Sequence, residues 1–279
     1  MLIDFHTHLF PKDMRDNRDK YFEGEPAFKM LYASEKAKLI GGEDMIRVMD
    51  EERVDVSVAF GFPWKNMEYN RMHNEYIMTV VAKHPGRFKG LCCLDTCNED
   101  AAREVERCIA GGLSGVGELA FYEGGIVCEV RDSLEPIMAM CRGKDLPVMI
   151  HTNEPVGHMY PGKSENTLAQ IYDILKRFPD NKIVLAHWGG GIFFYGLLKK
   201  EVKEALKNVW VDTAASPFLY DPAIYRYAID IFGLEKILFG SDYPLIRPAR
   251  YLQEIDSLGL SQHEMDAICG GNATALIPF

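Results

Sequence analysis

Long apolar runs are missing from this chain. The longest, such as 54–62, is interrupted by Asp55 and Ser57, and it falls well short of the ~20 residues a helix needs to span a bilayer. No membrane partner is expected. The opening Met1-Leu2-Ile3-Asp4 lacks the basic start and the apolar segment of a secretory leader, so a cytoplasmic location is expected. Positive charge is in deficit, with 31 basic against 41 acidic residues and a net charge of -10. With no basic cluster visible, a nucleic-acid partner is not expected. The seven cysteines are an odd set without a Cys-x-x-Cys pair. Cys92 and Cys93 sit in an apolar run, and Cys108 and Cys141 fall in helical patterns. They read as reduced thiols, not as a disulfide frame or a zinc ribbon.

What is present is a globular composition, 47% hydrophobic and 26% charged, with a repeating pattern of short apolar strands and amphipathic helices. Strands are predicted at 2–8, 54–60, 88–94, 115–119, 146–151, 182–187, 209–212 and 237–240. Helices follow at 43–52, 66–83, 98–110, 133–143 and 165–178, then after a turn at 188–191 to about 206, then at 222–232 and 248–258, and a last one covers 261–269. Several strands are near-continuous Val, Ile and Leu, as in a parallel sheet covered on both faces. Eight such units predict an α/β fold of the (β/α)8 barrel type, a single domain over 1–279. An open doubly wound sheet is the alternative, but its Gly-rich fingerprint after the first strand is absent. Residues 9–41 are long for a plain connection and carry Tyr21, Phe22, Phe28 and Tyr32; they are expected to form a lid inserted after strand one.

The first strand ends in His6-Thr7-His8. Alternate side chains share one face of a strand, so both imidazoles project together. Active sites of such barrels lie at the C-terminal ends of the strands. Those ends hold Glu118 at strand four, His151 at five, His187 at six and Asp242 just past eight. Each has a bland reading alone: His187 could cap its strand, Asp242 a turn, and Glu118 could pair with a lysine. Together, six imidazole and carboxylate ligands at one barrel mouth point to a divalent metal site. Candidate substrate contacts on the same face are Trp64, Tyr122, Glu154, His158, Tyr160, Lys163 and Arg247. Arg247 is the choice for a substrate carboxylate, because guanidinium binds carboxylate through two bonds. His73, His84 and His263 lie in or beside helices and read as structural.

His6-Thr7-His8, Ile150-His151, Ala186-His187-Trp188-Gly189-Gly190, Phe239-Gly240-Ser241-Asp242-Tyr243-Pro244 and the closing Gly271-Asn272-Ala273 resemble the motifs of the amidohydrolase superfamily, in its amidohydrolase-related branch. The resemblance spans the chain and keeps the motif order. It implies a metal held by His6, His8, His151, His187 and Asp242, in enzymes that hydrolyse amides and lactones or decarboxylate aromatic and unsaturated acids. Gly117-Glu118 is similar to the strand-four Gly-Glu of TatD-type metal-dependent deoxyribonucleases, where the glutamate is a ligand; that favours hydrolysis and a second ion. The leading expectation is therefore a hydrolase acting on a small amide, lactone or ester through a metal-activated water, with zinc, one ion or two. Asp242 would take the water's proton, and His187 would ligate the second ion or stabilise the oxyanion. The alternative is a metal-dependent non-oxidative decarboxylase on the same scaffold, and a third reading is a non-catalytic metal-binding barrel. The partner is a small-molecule substrate, with homo-oligomerisation left open.

Overall fold

The computed structural model describes residues 1–278. Its strands are β1 (Ile3–His8), β2 (Val56–Phe60), β3 (Phe88–Gly90), β4 (Val116–Leu119), β5 (Val148–Ile150), β6 (Ile183–Leu185), β7 (Val209–Asp212) and β8 (Ile237–Leu238). All pair in parallel, as β1-β2-β3 and β4-β5-β6-β7-β8. Two seams join these sheets. At one, Cys92 N–H donates to Gly115 O at 2.9 Å and Gly117 N–H to Cys92 O at 2.8 Å. At the other, Phe5 N–H donates to Phe239 O and His8 N–H to Tyr243 O, both at 2.8 Å. The eight strands thus follow one another around a (β/α)8 barrel in chain order.

The apolar strand sequences fill the centre of this ring. Ile3, Phe5, Val58, Phe60, Met149, Val184 and Leu238, from five strands, form one buried cluster. A second brings Val116, Ile150, Leu185 and Val211 against helix residues Ile77, Val105, Leu134 and Ile171. Burying a Leu or Ile in this way contributes roughly 1.5–3 kcal/mol, so the packing is ample to hold polar loops at the strand ends. No helix among the described residues is long and apolar enough to cross a membrane.

Local differences from the sequence reading have physical reasons. The expected turn at 188–191 forms, with residues 187–191 all at positive φ, from +55° at His187 to +84° at Gly191, but the α-helix expected to run on from it to about 206 does not. Three consecutive glycines make such a run tolerable, and helix returns only at Glu201–Ala205. The helix after β4 begins earlier than expected, at Cys128, and runs to Gly143.

Residues 9–41 are compact. Helices Lys12–Asp16 and Pro26–Tyr32 bury Phe10, Met14, Tyr21 and Phe28 against Phe62 and Trp64. Arg18 Nη1 donates to the carbonyls of Tyr32, Ser34 and Ala37 at 3.2, 3.3 and 2.8 Å, tying the segment's far end. The aromatic residues that would be costly in water are thus buried by packing on the loop after β2.

Candidate metal centre

His6 and His8 leave β1 on one face, as period-two alternation requires. Their Nε2 atoms lie 3.3 Å apart. Asp242 Oδ1 is 3.2 Å from His8 Nε2 and 3.6 Å from His6 Nε2, which closes a triangle. A second triangle is built from β4, β5 and β6. Glu118 Oε1 lies 3.0 Å from His151 Nδ1 and 3.5 Å from His187 Nε2, and the two ring nitrogens are 3.2 Å apart. The other Glu118 oxygen, Oε2, faces His6 Nε2 at 3.9 Å. One carboxylate therefore links both triangles, and all six side chains are brought together.

Two glycines permit this closeness. A Cβ on Gly240 would sit 2.8 Å from His6 Cβ, and one on Gly117, at φ +140°, would sit 2.6 Å from Met149 Cβ. Any side chain at either position would push a ligand strand off its neighbour.

The outward ring nitrogens decide the protonation of the four histidines. His6 Nδ1–H donates to Asp212 Oδ2 at 2.9 Å, His187 Nδ1–H to Ala214 O at 3.1 Å, His151 Nε2–H to Gly162 O at 3.0 Å, and His8 Nδ1–H to Gly61 O at 3.4 Å. These partners only accept, so each ring keeps one proton outward, and its inward nitrogen offers a lone pair to a cation whenever it carries no second proton. Two pairs of inward nitrogens face each other at 3.2–3.3 Å. Cis ligands ~2.1 Å from one ion lie roughly 3 Å apart, which is the spacing seen. The donor set fits a divalent cation.

The electrostatics agree. Burial disfavours protonated His6, yet the charges of Asp212 and Glu118 outweigh it and raise its pKa to about 10. Burial would raise Glu118, but the positive ends of His151 and His6 hold it well below the ordinary carboxylate range. Asp242 is likewise lowered against burial, by its hydrogen bond from His8 and the charge of His6. Anionic oxygens buried among these imidazoles call for a positive charge, supplied by protons on the rings or by a bound cation in their place.

Asp212, at the end of β7, belongs to this centre although the sequence reading passed over it. Its fully buried carboxylate accepts from His6 Nδ1–H, from His187 N–H at 2.8 Å and from Ala214 N–H at 3.0 Å. The signal was the one already in use, a carboxylate at a strand end. Asp4, also fully buried, accepts from Ser241 N–H at 2.9 Å and so anchors the turn that carries Asp242; burial raises its pKa to about 7. Asp212→Asn keeps one acceptor oxygen and turns an N–H₂ toward a donor. Partners behind a metal-binding histidine are typically worth 10–100-fold in affinity. A loss of that size in chelator competition is expected, and unchanged affinity would count against the role given to Asp212.

Above the cluster lies a cavity of about 640 Å³ whose wall includes Tyr32, Phe62, Tyr122, His158, Tyr160 and Phe218. Phe62 and Tyr122 stack with ring centres 6.2 Å apart. Of the expected substrate contacts, Tyr122, His158 and Tyr160 line it. Trp64 does not: it is fully buried, its Nε1–H donates to His73 Nδ1 at 3.0 Å, and it packs on Phe28. His73, lowered to about 4 by burial, passes its own Nε2–H to Leu9 O at 2.6 Å. Arg247 is likewise elsewhere, its guanidinium paired with Glu51 at 2.6 Å and with Glu52. Glu154 and Lys163 pair with each other at 2.7 Å and are absent from the cavity wall. The cation on that wall is Lys38, from the 9–41 segment.

A family model described as amidohydrolase matches residues 3–279. The 2-amino-3-carboxymuconate-6-semialdehyde decarboxylase of Dictyostelium discoideum is 26% identical, over 97% of this chain and 90% of its own length. A gamma-resorcylate decarboxylase of a Polaromonas species is 22% identical, over 86% and 89%. Among solved structures, 5-carboxyvanillate decarboxylase of Novosphingobium aromaticivorans, complexed with manganese and 4-hydroxy-3-methoxy-5-nitrobenzoic acid, superposes with a TM-score of 0.79 at 17% identity, over 99% and 95% of the two chains. That likeness shows the fold. These findings overturn the expected hydrolase, because the matching relatives are decarboxylases. The roles tied to hydrolysis, Asp242 as base for a metal-bound water and His187 as oxyanion stabiliser, go with it. The specific expectation of zinc finds no support in these likenesses, the structure named here holding manganese.

Proposed function

The chain belongs to the amidohydrolase family, and from that membership we propose that it is a metal-dependent, non-oxidative decarboxylase of a small aromatic or unsaturated carboxylic acid. The observation that carries the reading is the match, along nearly the whole chain, to relatives named for decarboxylation. The cavity supports it. Its aromatic wall suits a planar ring or conjugated chain, and His8, Glu118, His151, His187 and Asp242 of the cluster form its floor.

His6, His8, Glu118, His151, His187 and Asp242 would hold the ion. A bound divalent cation supplies positive charge that fixes an anionic substrate oxygen and offsets charge developing as the carbon–carbon bond breaks. Glu118 and Asp242 both line the cavity; Asp242 is the more open of the two, its side chain 15% exposed against 5%, and its lowered pKa leaves it ionised before substrate arrives. It takes the acidic proton of the incoming substrate and returns it to the carbon that bears the carboxylate. A carbon–hydrogen bond forms there as the carbon–carbon bond breaks, and the carboxylate leaves as CO₂. The sum is RCO₂H to RH plus CO₂, with no other reactant. Lys38 is placed to pair with an anionic group of the substrate, Tyr122, His158 and Tyr160 to contact its body, and residues 9–41 to cover the site.

The test is a panel of hydroxylated aromatic acids and conjugated dienoic acids, scored for CO₂ release beside amides, esters and lactones scored for hydrolysis. The proposal expects CO₂ from at least one acid and no hydrolysis above background. Hydrolysis without CO₂ release would refute it.

A further inference from the structure

Three of the four histidines rest their outward nitrogen on the barrel or on short turns leaving it, at Asp212, Ala214 and Gly61. His151 differs. Its acceptor is Gly162 O, at the far end of the loop after β5. The same loop lends His158, Tyr160, Pro161 and Gly162 to the cavity wall.

This loop is held by an ion pair that neither the metal cluster nor the cavity uses. Lys163 Nζ donates to Glu154 Oε1 at 2.7 Å and to Val156 O at 2.9 Å, and Tyr160 O–H donates to Glu154 Oε2 at 2.8 Å. The lysine side chain is only 7% exposed and the glutamate's 17%, so the pair is shielded and stronger than a surface contact. Below it, Asn153 Oδ1 accepts from Ser164 N–H at 2.8 Å and Ser164 O–H at 2.6 Å. The two ends of the loop are thus fastened across from each other, with Gly162 O directed at His151 between them.

We propose that Lys163 and Glu154 are positioning residues that keep His151 in its metal-binding tautomer through Gly162 O, so that the loop forming the cavity wall also sets the strength of the metal centre. With Gly162 O in place, the His151 proton stays on Nε2 and Nδ1 is free to ligate. Were the carbonyl to swing away, the proton would be better placed on Nδ1, donating to Glu118 Oε1 at 3.0 Å, and the nitrogen would cease to be a ligand. Glu118 and His151 would then satisfy each other instead of a cation. Carbonyl partners of ligating histidines act in this way, fixing ring and tautomer together. The inference rests on the metal reading above but not on the reaction.

The experiment is chelator competition for Mn(II) on the full-length protein, in a double-mutant cycle. Lys163→Met and Glu154→Gln are each expected to weaken Mn(II) binding about tenfold or more, the lower end of the usual range for such partners. Lys163→Arg, which keeps the charge, is expected to restore most of the loss. In a His151→Ala background, Lys163→Met is expected to cause no further loss. Unchanged affinity in the first two variants overturns the proposal, and so does an equal loss in the His151→Ala background, which would mean that the pair only stabilises the fold. Failure of the wild-type protein to bind Mn(II) would instead refute the metal centre itself.

Discussion

Replacing His6 by alanine is expected to abolish metal retention and CO₂ release while the barrel still forms. His6 is fully buried, and its Nε2 lies within 4 Å of His8, Glu118 and Asp242, so it stands where the two triangles meet. Without it Glu118 Oε2 loses the ring that faces it at 3.9 Å, and the first triangle is reduced to two donors. The barrel's apolar clusters do not depend on the imidazole, and its functional face is separate from the packing that holds the strands. Some stability is still lost, because Asp212 Oδ2 loses a buried donor, an effect of about 1–3 kcal/mol. Metal analysis of the purified variant, with circular dichroism to show a folded barrel, checks this. Full metal occupancy would remove His6 from the ligand set.

Asp242→Asn is expected to separate metal binding from chemistry. Asp242 sits at φ +58°, a conformation that asparagine tolerates nearly as well as aspartate, so the backbone should keep its course and the amide oxygen should stay near His8 and His6. What disappears is the group that takes up a proton and returns it. Loss of such a group typically lowers turnover by ~100-fold or more. The variant should retain most of its metal and turn over at least ~100-fold more slowly. Near-normal turnover would exclude Asp242 as the proton carrier.

The ligand cluster was legible in the sequence because two simple rules coincide there. Strand periodicity aims His6 and His8 the same way, and barrel topology gathers the ends of β4, β5, β6 and β8. Asp212 obeys the second rule and was overlooked, because its carboxylate faces the outer edge of the His6 ring and two backbone N–H groups instead of the open mouth. Loop residues obey neither rule. Phe62 and Trp64 are two positions apart, yet Phe62 lines the cavity while Trp64 is buried beneath it on His73. Arg247 is captured by Glu51 and Glu52 from nearly the other end of the chain, and Glu154 and Lys163 find each other across their own loop. Such pairings depend on tertiary approach, which periodicity does not encode. The reaction type was illegible for another reason: the same imidazoles and carboxylates serve hydrolysis and decarboxylation alike, so only the relatives separated them.

The central claim is that this chain releases CO₂ from a conjugated acid by means of the clustered ligands. The most direct measurement uses protein stripped by a chelator and then reconstituted with Mn(II), with CO₂ release followed on an acid selected from the panel. The account predicts that release falls to background on stripping and returns in proportion to the metal restored. Release that is undiminished in the stripped protein would contradict it.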